Sequence, residues 1–133
     1  MPFLTTLVLF GVLTLLMLGF EIMFTYATKG FGFGFSANRN PSTVYSPLAL
    51  RVKRAYQNQI ESAAYGVPVL AAAAFIGLES GPAETAAMLF ILGRAAFALL
   101  YYTGVSFVRV PAFLLSTLST FYIAFVLLTS GLL

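Results

Sequence analysis

The chain has 133 residues, of which 60% are hydrophobic and only 8% are charged. A soluble domain carries about 25% charged residues, so no solvated surface can be built from this inventory and the main solvent must be lipid. There is no Cys and no His, which excludes disulfides and a protein thiol nucleophile and removes the commonest metal ligand and general base. No metal site is expected. The net charge of +3 does not point to nucleic acid, because most basic residues lie in one stretch beside apolar spans, the distribution that orients a chain in a membrane.

A helix needs about 20 apolar residues to cross a hydrocarbon core about 30 Å thick. The first span covers residues 3–28. It lacks the basic start and small-residue cleavage site of a removable leader, so it reads as permanent. Residues 29–46 read as a polar, glycine-rich loop containing Asn38-Arg39-Asn40-Pro41. The Gly30–Gly34 stretch has neither the lysine nor the spacing of a phosphate loop. The second span, residues 47–77, opens on Ser46 as N-cap and Pro47 at the first helical position. Glu79-Ser80-Gly81-Pro82 stops one helix and starts the next. The third span covers residues 82–104 and the fourth residues 111–130, starting at Pro111. The expected fold is all-α: a single domain, an integral membrane four-helix bundle with four transmembrane helices.

Charge sets the expected orientation. Lys29, Arg39, Arg51, Lys53 and Arg54 lie in or beside the first loop and Arg109 in the third, whereas the second loop has only Glu79 and Glu84. The positive-inside rule places loops one and three in the cytoplasm and both termini outside.

The chemistry concentrates on span two. Arg51, Arg54, Asn58, Glu61 and Tyr65 follow one another at spacings of 3, 4, 3 and 4, which puts all five on one helical face. Arginines near the membrane edge anchor to headgroups, and buried amides join helices. A carboxylate within the bilayer is costly unless paired, and usually marks function. Span three offers a second face at Arg94, Phe97 and Tyr101. Counting 1.5 Å per residue from the outer ends places Tyr101, Glu61 and Glu21 at nearly one level, with Arg94 deeper. Arg94 therefore needs a partner, Glu61 or Tyr65, and an Arg94–Glu61 ion pair is expected as an internal strut. Together these groups outline a cytoplasm-facing polar pocket suited to a zwitterionic, carboxylate-rich small molecule, beside apolar walls for a lipophilic one.

The run Arg51-Val-Lys-Arg54-Ala-Tyr-Gln-Asn58-Gln-Ile-Glu61 resembles the second-helix signature of the MAPEG family, the membrane-associated proteins of eicosanoid and glutathione metabolism. Gly93-Arg94-Ala-Ala-Phe97-Ala-Leu-Leu-Tyr101-Tyr-Thr-Gly104, with Arg109, resembles its third-helix signature, and Asn38-Arg39-Asn40-Pro41 is similar to the first loop of bacterial members. The resemblance implies a homotrimer in a bacterial inner membrane, binding glutathione as co-substrate at protomer interfaces. Arg51, Arg54, Asn58, Glu61, Tyr101 and Arg109 would be its contacts. By the same resemblance Arg109 would stabilise the glutathione thiolate, with Tyr101 as an alternative hydrogen-bond donor, and Arg94 would be the internal arginine. Gln57, Phe97 and Val110 depart from the polar residues of specialised members. These departures point away from leukotriene or prostaglandin synthesis and toward a general glutathione transferase or peroxidase acting on lipophilic electrophiles or lipid hydroperoxides. The alternatives are a non-catalytic membrane subunit and a small transporter; against transport, the polar groups gather toward one side.

Overall fold

The computed structural model describes residues 2–35, 46–104 and 107–133, and the side chains of residues 28, 29 and 31–35 fall outside that description. Among the described residues four helices follow one another: α1 (Phe3–Phe35), α2 (Pro47–Phe75), α3 (Gly81–Thr103) and α4 (Arg109–Thr129). They form an up-and-down bundle in which α1 packs chiefly on α2 and α3 chiefly on α4. Three of them, α1 over Phe3–Ala27, α3 and α4, are long and apolar enough to cross a membrane. The fourth, α2, is 29 residues long and carries its charges in its first half, which lowers its hydropathy. The chain is thus an all-helical membrane protein, as its composition requires.

Local chemistry sets most helix ends. The Ser46 hydroxyl accepts from Ala49 N at 3.2 Å, and Ser80 does the same for Ala83 N at 3.2 Å, each answering an orphan donor of the first turn. Gly104 closes α3 with φ 79, a left-handed cap that only glycine adopts without strain. Two boundaries differ from the sequence reading. Helix α4 begins at Arg109 rather than Pro111, because a proline in the first turn gives up only an N–H that has no helical acceptor. Helix α1 continues to Phe35, with one non-helical residue at Gly30 (φ 82, ψ 165). The glycines lower helix propensity across this stretch, yet the chain breaks at one of them only. Asn38-Arg39-Asn40-Pro41 lies outside the described residues.

The core has two parts. Phe10, Leu70, Phe90, Ile123 and Leu127 fill the half toward the termini, with the Phe10 and Phe90 rings 5.5 Å apart. Met17, Ala55 and Ala98 fill the other half. Large apolar side chains such as Leu15, Leu16, Leu118 and Phe125 face outward, the inverse of a soluble protein and the surface that lipid requires. Hydroxyls within the helices bond back to their own backbone: Ser116 Oγ donates to Phe113 O, Ser119 Oγ to Leu115 O and Thr120 Oγ1 to Ser116 O. Lipid offers no alternative partner.

Small residues set the helix spacing. A Cβ on Gly93 would stand 2.9 Å from Ala112 O and 3.0 Å from Ser116 N, both backbone atoms of α4, whereas one on Gly11 would meet nothing within 4 Å. Small residues let helix backbones approach closely, which strengthens the packing that associates helices in lipid. Gly93→Ala should therefore lower stability by about 1–3 kcal/mol, the usual cost of overpacking. Gly11→Ala should leave it unchanged or slightly raised; thermal unfolding in a mild detergent compares the two.

Candidate functional site

Arg94 is fully buried, at 0% exposure. Its Nε donates to Gln59 Oε1 at 3.0 Å and its Nη2 to Asn58 Oδ1 at 2.8 Å. Gln59, also 0% exposed, passes the connection on: its Nε2 donates to Thr14 Oγ1 at 3.0 Å, and Thr14 Oγ1 donates to Phe10 O at 2.8 Å. One polar chain thus runs from α3 through α2 to α1. The guanidinium also lies 4.9 Å over the Phe97 ring, a cation–π contact that strengthens when water is excluded. The Nη1 group and the nearby Tyr65 hydroxyl are enclosed without a hydrogen-bond partner among the described residues.

The expected Arg94–Glu61 ion pair is therefore not formed. Gln59 and Asn58 take the guanidinium donors, and Glu61 lies two residues past Gln59, about 200° around the helix, where it is exposed. Sequence reading passed over Gln59 and Thr14. A signal for Gln59 was present: it interrupts a stripe of small and apolar residues, Val52, Ala55, Ser62, Gly66 and Leu70, that α2 buries. Thr14, one hydroxyl in a lipid-soluble span, gave no such signal.

Nearer the loop end of α2, Arg51 Nε donates to the Tyr102 carbonyl at 3.3 Å, with its guanidinium packed against the backbone at Gly104. Lys53 Nζ pairs with Glu21 at 3.3 Å. Arg109, the first residue of α4, lays its guanidinium 4.5 Å over the Tyr101 ring, and Tyr101 in turn stacks on Phe97 at 5.4 Å. The structure thus brings Arg109 and Tyr101 together, with Arg51 beside the next residue of α3. Arg54, Gln57 and Glu61 are exposed on the outer face of α2, and Asn58 is half-buried behind them.

These contacts also correct the depths. Tyr101 adjoins the residue that receives Arg51, and Glu21 meets Lys53, so both stand level with the first turns of α2. Glu61 lies about 12–15 Å deeper by helix rise. Counting from assumed span ends missed this, because the ends alone do not give the relative height of α2 and α3, which the turn through Gly77 (φ 66) sets. The polar residues form two levels: a rim of Arg51, Tyr101 and Arg109, and a deeper set of Asn58, Glu61 and Arg94. One turn deeper, a groove of about 280 Å³ between α2 and α4 is lined by Tyr65, Val69, Phe113, Thr117, Thr120 and Phe121.

The amide clamp makes a prediction that an ion pair would not. Gln59→Leu strands Arg94 Nε and should cost about 2–3 kcal/mol, the scale of a hydrogen bond to a charged group. Combined with Arg94→Leu it should cost clearly less than the sum. Glu61→Gln combined with Arg94→Leu should be additive within about 0.5 kcal/mol. Thermal melts of the two double-mutant cycles decide between the partners.

No curated protein and no solved structure matches the chain. A family model does, over residues 3–129. That range takes in all of α2, α3 and α4 and every residue of the two polar levels. The family includes glutathione transferases and peroxidases as well as non-catalytic members. With nearly the whole chain matched, this protein belongs to the MAPEG family.

Proposed function

We propose that the protein is a membrane-bound glutathione transferase or peroxidase that works as a homotrimer. The observation that carries this reading is the outward polar face of α2. Arg54, Gln57 and Glu61 are exposed on a single protomer, and charges facing lipid cost about 2.5–3.5 kcal/mol each at the centre of a span. A neighbouring copy covering that face, with a charged ligand between, removes the cost. Exposed Ala64 and Ala71 continue the same face toward the other end and allow close helix approach.

Glutathione fits the two levels in charge and length. A tripeptide spans about 10 Å when extended, comparable with the distance from the rim to the deeper set. Arg51 and Arg54 suit its carboxylates, Glu61 its ammonium, and Arg109 its thiolate. A free thiol has a pKa of about 8.5, so little of it is ionised at neutral pH. A guanidinium beside the sulfur favours the thiolate, and a hundredfold gain in acidity needs about 2.7 kcal/mol. This role asks no proton transfer of the protein, which suits a chain without His. The thiolate then bonds to a lipophilic electrophile and displaces its leaving group, or attacks the outer oxygen of a lipid hydroperoxide and releases the lipid alcohol, a second glutathione converting the resulting sulfenic acid to disulfide and water. The deeper groove between α2 and α4 suits the apolar tail of such a molecule. The basic rim faces the cytoplasm in this reading.

Two experiments test the proposal. Native mass spectrometry from a mild detergent should give trimers, and monomers alone would count against the assembly. Arg109→Leu should keep the trimer, weaken turnover about a hundredfold, as the loss of that acidity implies, and reduce the ultraviolet thiolate absorbance of bound glutathione. Arg51→Leu should weaken binding more than thiol ionisation. A wild-type protein with no glutathione-dependent thiolate signal would exclude catalysis and leave Arg109 as a headgroup anchor.

A further inference from the structure

Arg94 makes an unusual choice of partners. A buried cation normally faces a carboxylate, yet here both acceptors are neutral side-chain amides, Asn58 Oδ1 at 2.8 Å and Gln59 Oε1 at 3.0 Å. Each choice has a consequence for the amide's other end. Guanidinium nitrogens only donate. An amide facing Arg94 must therefore turn its oxygen inward, and its NH2 group is left to point elsewhere. For Gln59 that NH2 is used internally, on Thr14. For Asn58 it is not: Nδ2 makes no hydrogen bond among the described residues and is not enclosed. Asn58 is half-buried and lies between exposed Arg54 and exposed Glu61 at spacings of 4 and 3, so its free NH2 belongs to their face of α2.

We infer that Arg94 is a positioning residue that locks Asn58 as a hydrogen-bond donor, so that the α2 site offers an NH2 group to an acceptor oxygen of its ligand. Without that lock the amide presents either end at similar cost, and an oxygen turned outward repels a carboxylate. With it, α2 displays a fixed order along one face: cation at Arg54, donor at Asn58, anion at Glu61. The oxygen received at Asn58 is a carboxylate or peptide carbonyl oxygen. The ammonium group of the same ligand goes one turn deeper, to Glu61. The role explains why position 58 holds an amide and not an acid. An aspartate there would pair better with Arg94, but it would show the ligand no donor.

The ligand half of this inference rests on the proposed glutathione site; the orientation half does not. Asn58→Asp keeps the size of the side chain and its acceptor for Arg94 and removes only the donor. Its melting temperature in detergent should be unchanged or higher. Its glutathione affinity by calorimetry should fall about tenfold or more, the loss of one hydrogen bond to a charged group. Arg94→Lys keeps a donor-only cation and should bind glutathione better than Arg94→Met. Wild-type affinity in Asn58→Asp, or equal affinities in the two Arg94 variants, would overturn the role. The orientation is read without any ligand from isotope-labelled side-chain amides by NMR. The Asn58 NH2 should exchange with solvent quickly and the Gln59 NH2 slowly. An Asn58 NH2 that stays as protected as that of Gln59 in protein dispersed to monomers by detergent points inward, and the inference fails. If the exchange pattern is as expected but wild-type protein binds no glutathione, the proposed function fails and the locked donor stands.

Discussion

A guanidinium in the middle of an apolar bundle has nowhere to send its charge except into the protein. Lipid supplies no acceptor and water does not reach it, so every donor left without an acceptor raises the free energy of the bundle. Arg94 answers this constraint at two of its three nitrogens, Nε and Nη2, by drawing on two neighbouring residues of α2 and, through Gln59, on Thr14 of α1. The arrangement sets the register of three helices at once. Sliding α2 by one residue against α3 would displace both oxygens by about 1.5 Å along the axis and about 100° around it, out of line with the two nitrogens they now receive. Dispersion packing in lipid is forgiving of such slips, because one apolar contact replaces another. A polar chain is not, and this one fixes the height at which every residue of α2 meets α3.

Helix α2 carries two parallel stripes one residue apart. Val52, Ala55, Gln59, Ser62 and Gly66 face inward and are buried. Arg51, Arg54, Asn58, Glu61 and Tyr65 run beside them, displaced by about 100°, and range from half-buried to exposed. Small residues dominate the inner stripe, so α2 sits close to its neighbours: Gly66 lies under Phe90, where a Cβ would meet the ring at 2.8 Å. The outer stripe is pushed to the bundle surface as a result. Asn58 and Gln59 are the adjacent pair at which the stripes connect, and both hold Arg94. The central cation thus serves the interior through one amide and the outer face through the other.

The span count and the helix starts at Ser46 and Ser80 were legible in the sequence because they depend on composition and on neighbours within a turn. The polar stripe of α2 was legible for the same reason. Partner choice was not. A spacing of 3 and 4 says which residues share a face, but it does not say which face meets α3. Charge complementarity then favoured Glu61 for Arg94, although hydrogen-bond geometry favours two amides that need no ionic partner. Depth failed more simply. Turn geometry between α2 and α3 sets their relative height, and counting residues along each span separately does not supply it. Gln59 was hidden because one polar residue in a buried stripe looks like noise until its partner on another helix is known.

Satisfying Arg94 with amides also determines what α2 keeps available. A carboxylate spent on Arg94 would be neutralised, and the bundle would hold a closed ion pair with no charge left to recognise anything. The amide clamp satisfies two of the three guanidinium nitrogens while leaving Glu61 unspent on the outer face. It also leaves Arg94 as a buried positive charge behind that face, with no carboxylate paired to it among the described residues. In a low dielectric such a charge acts over several ångströms more strongly than in water. The outer face therefore carries a positive background at the level of Asn58, and an anionic group docking there gains from Arg94 without touching it.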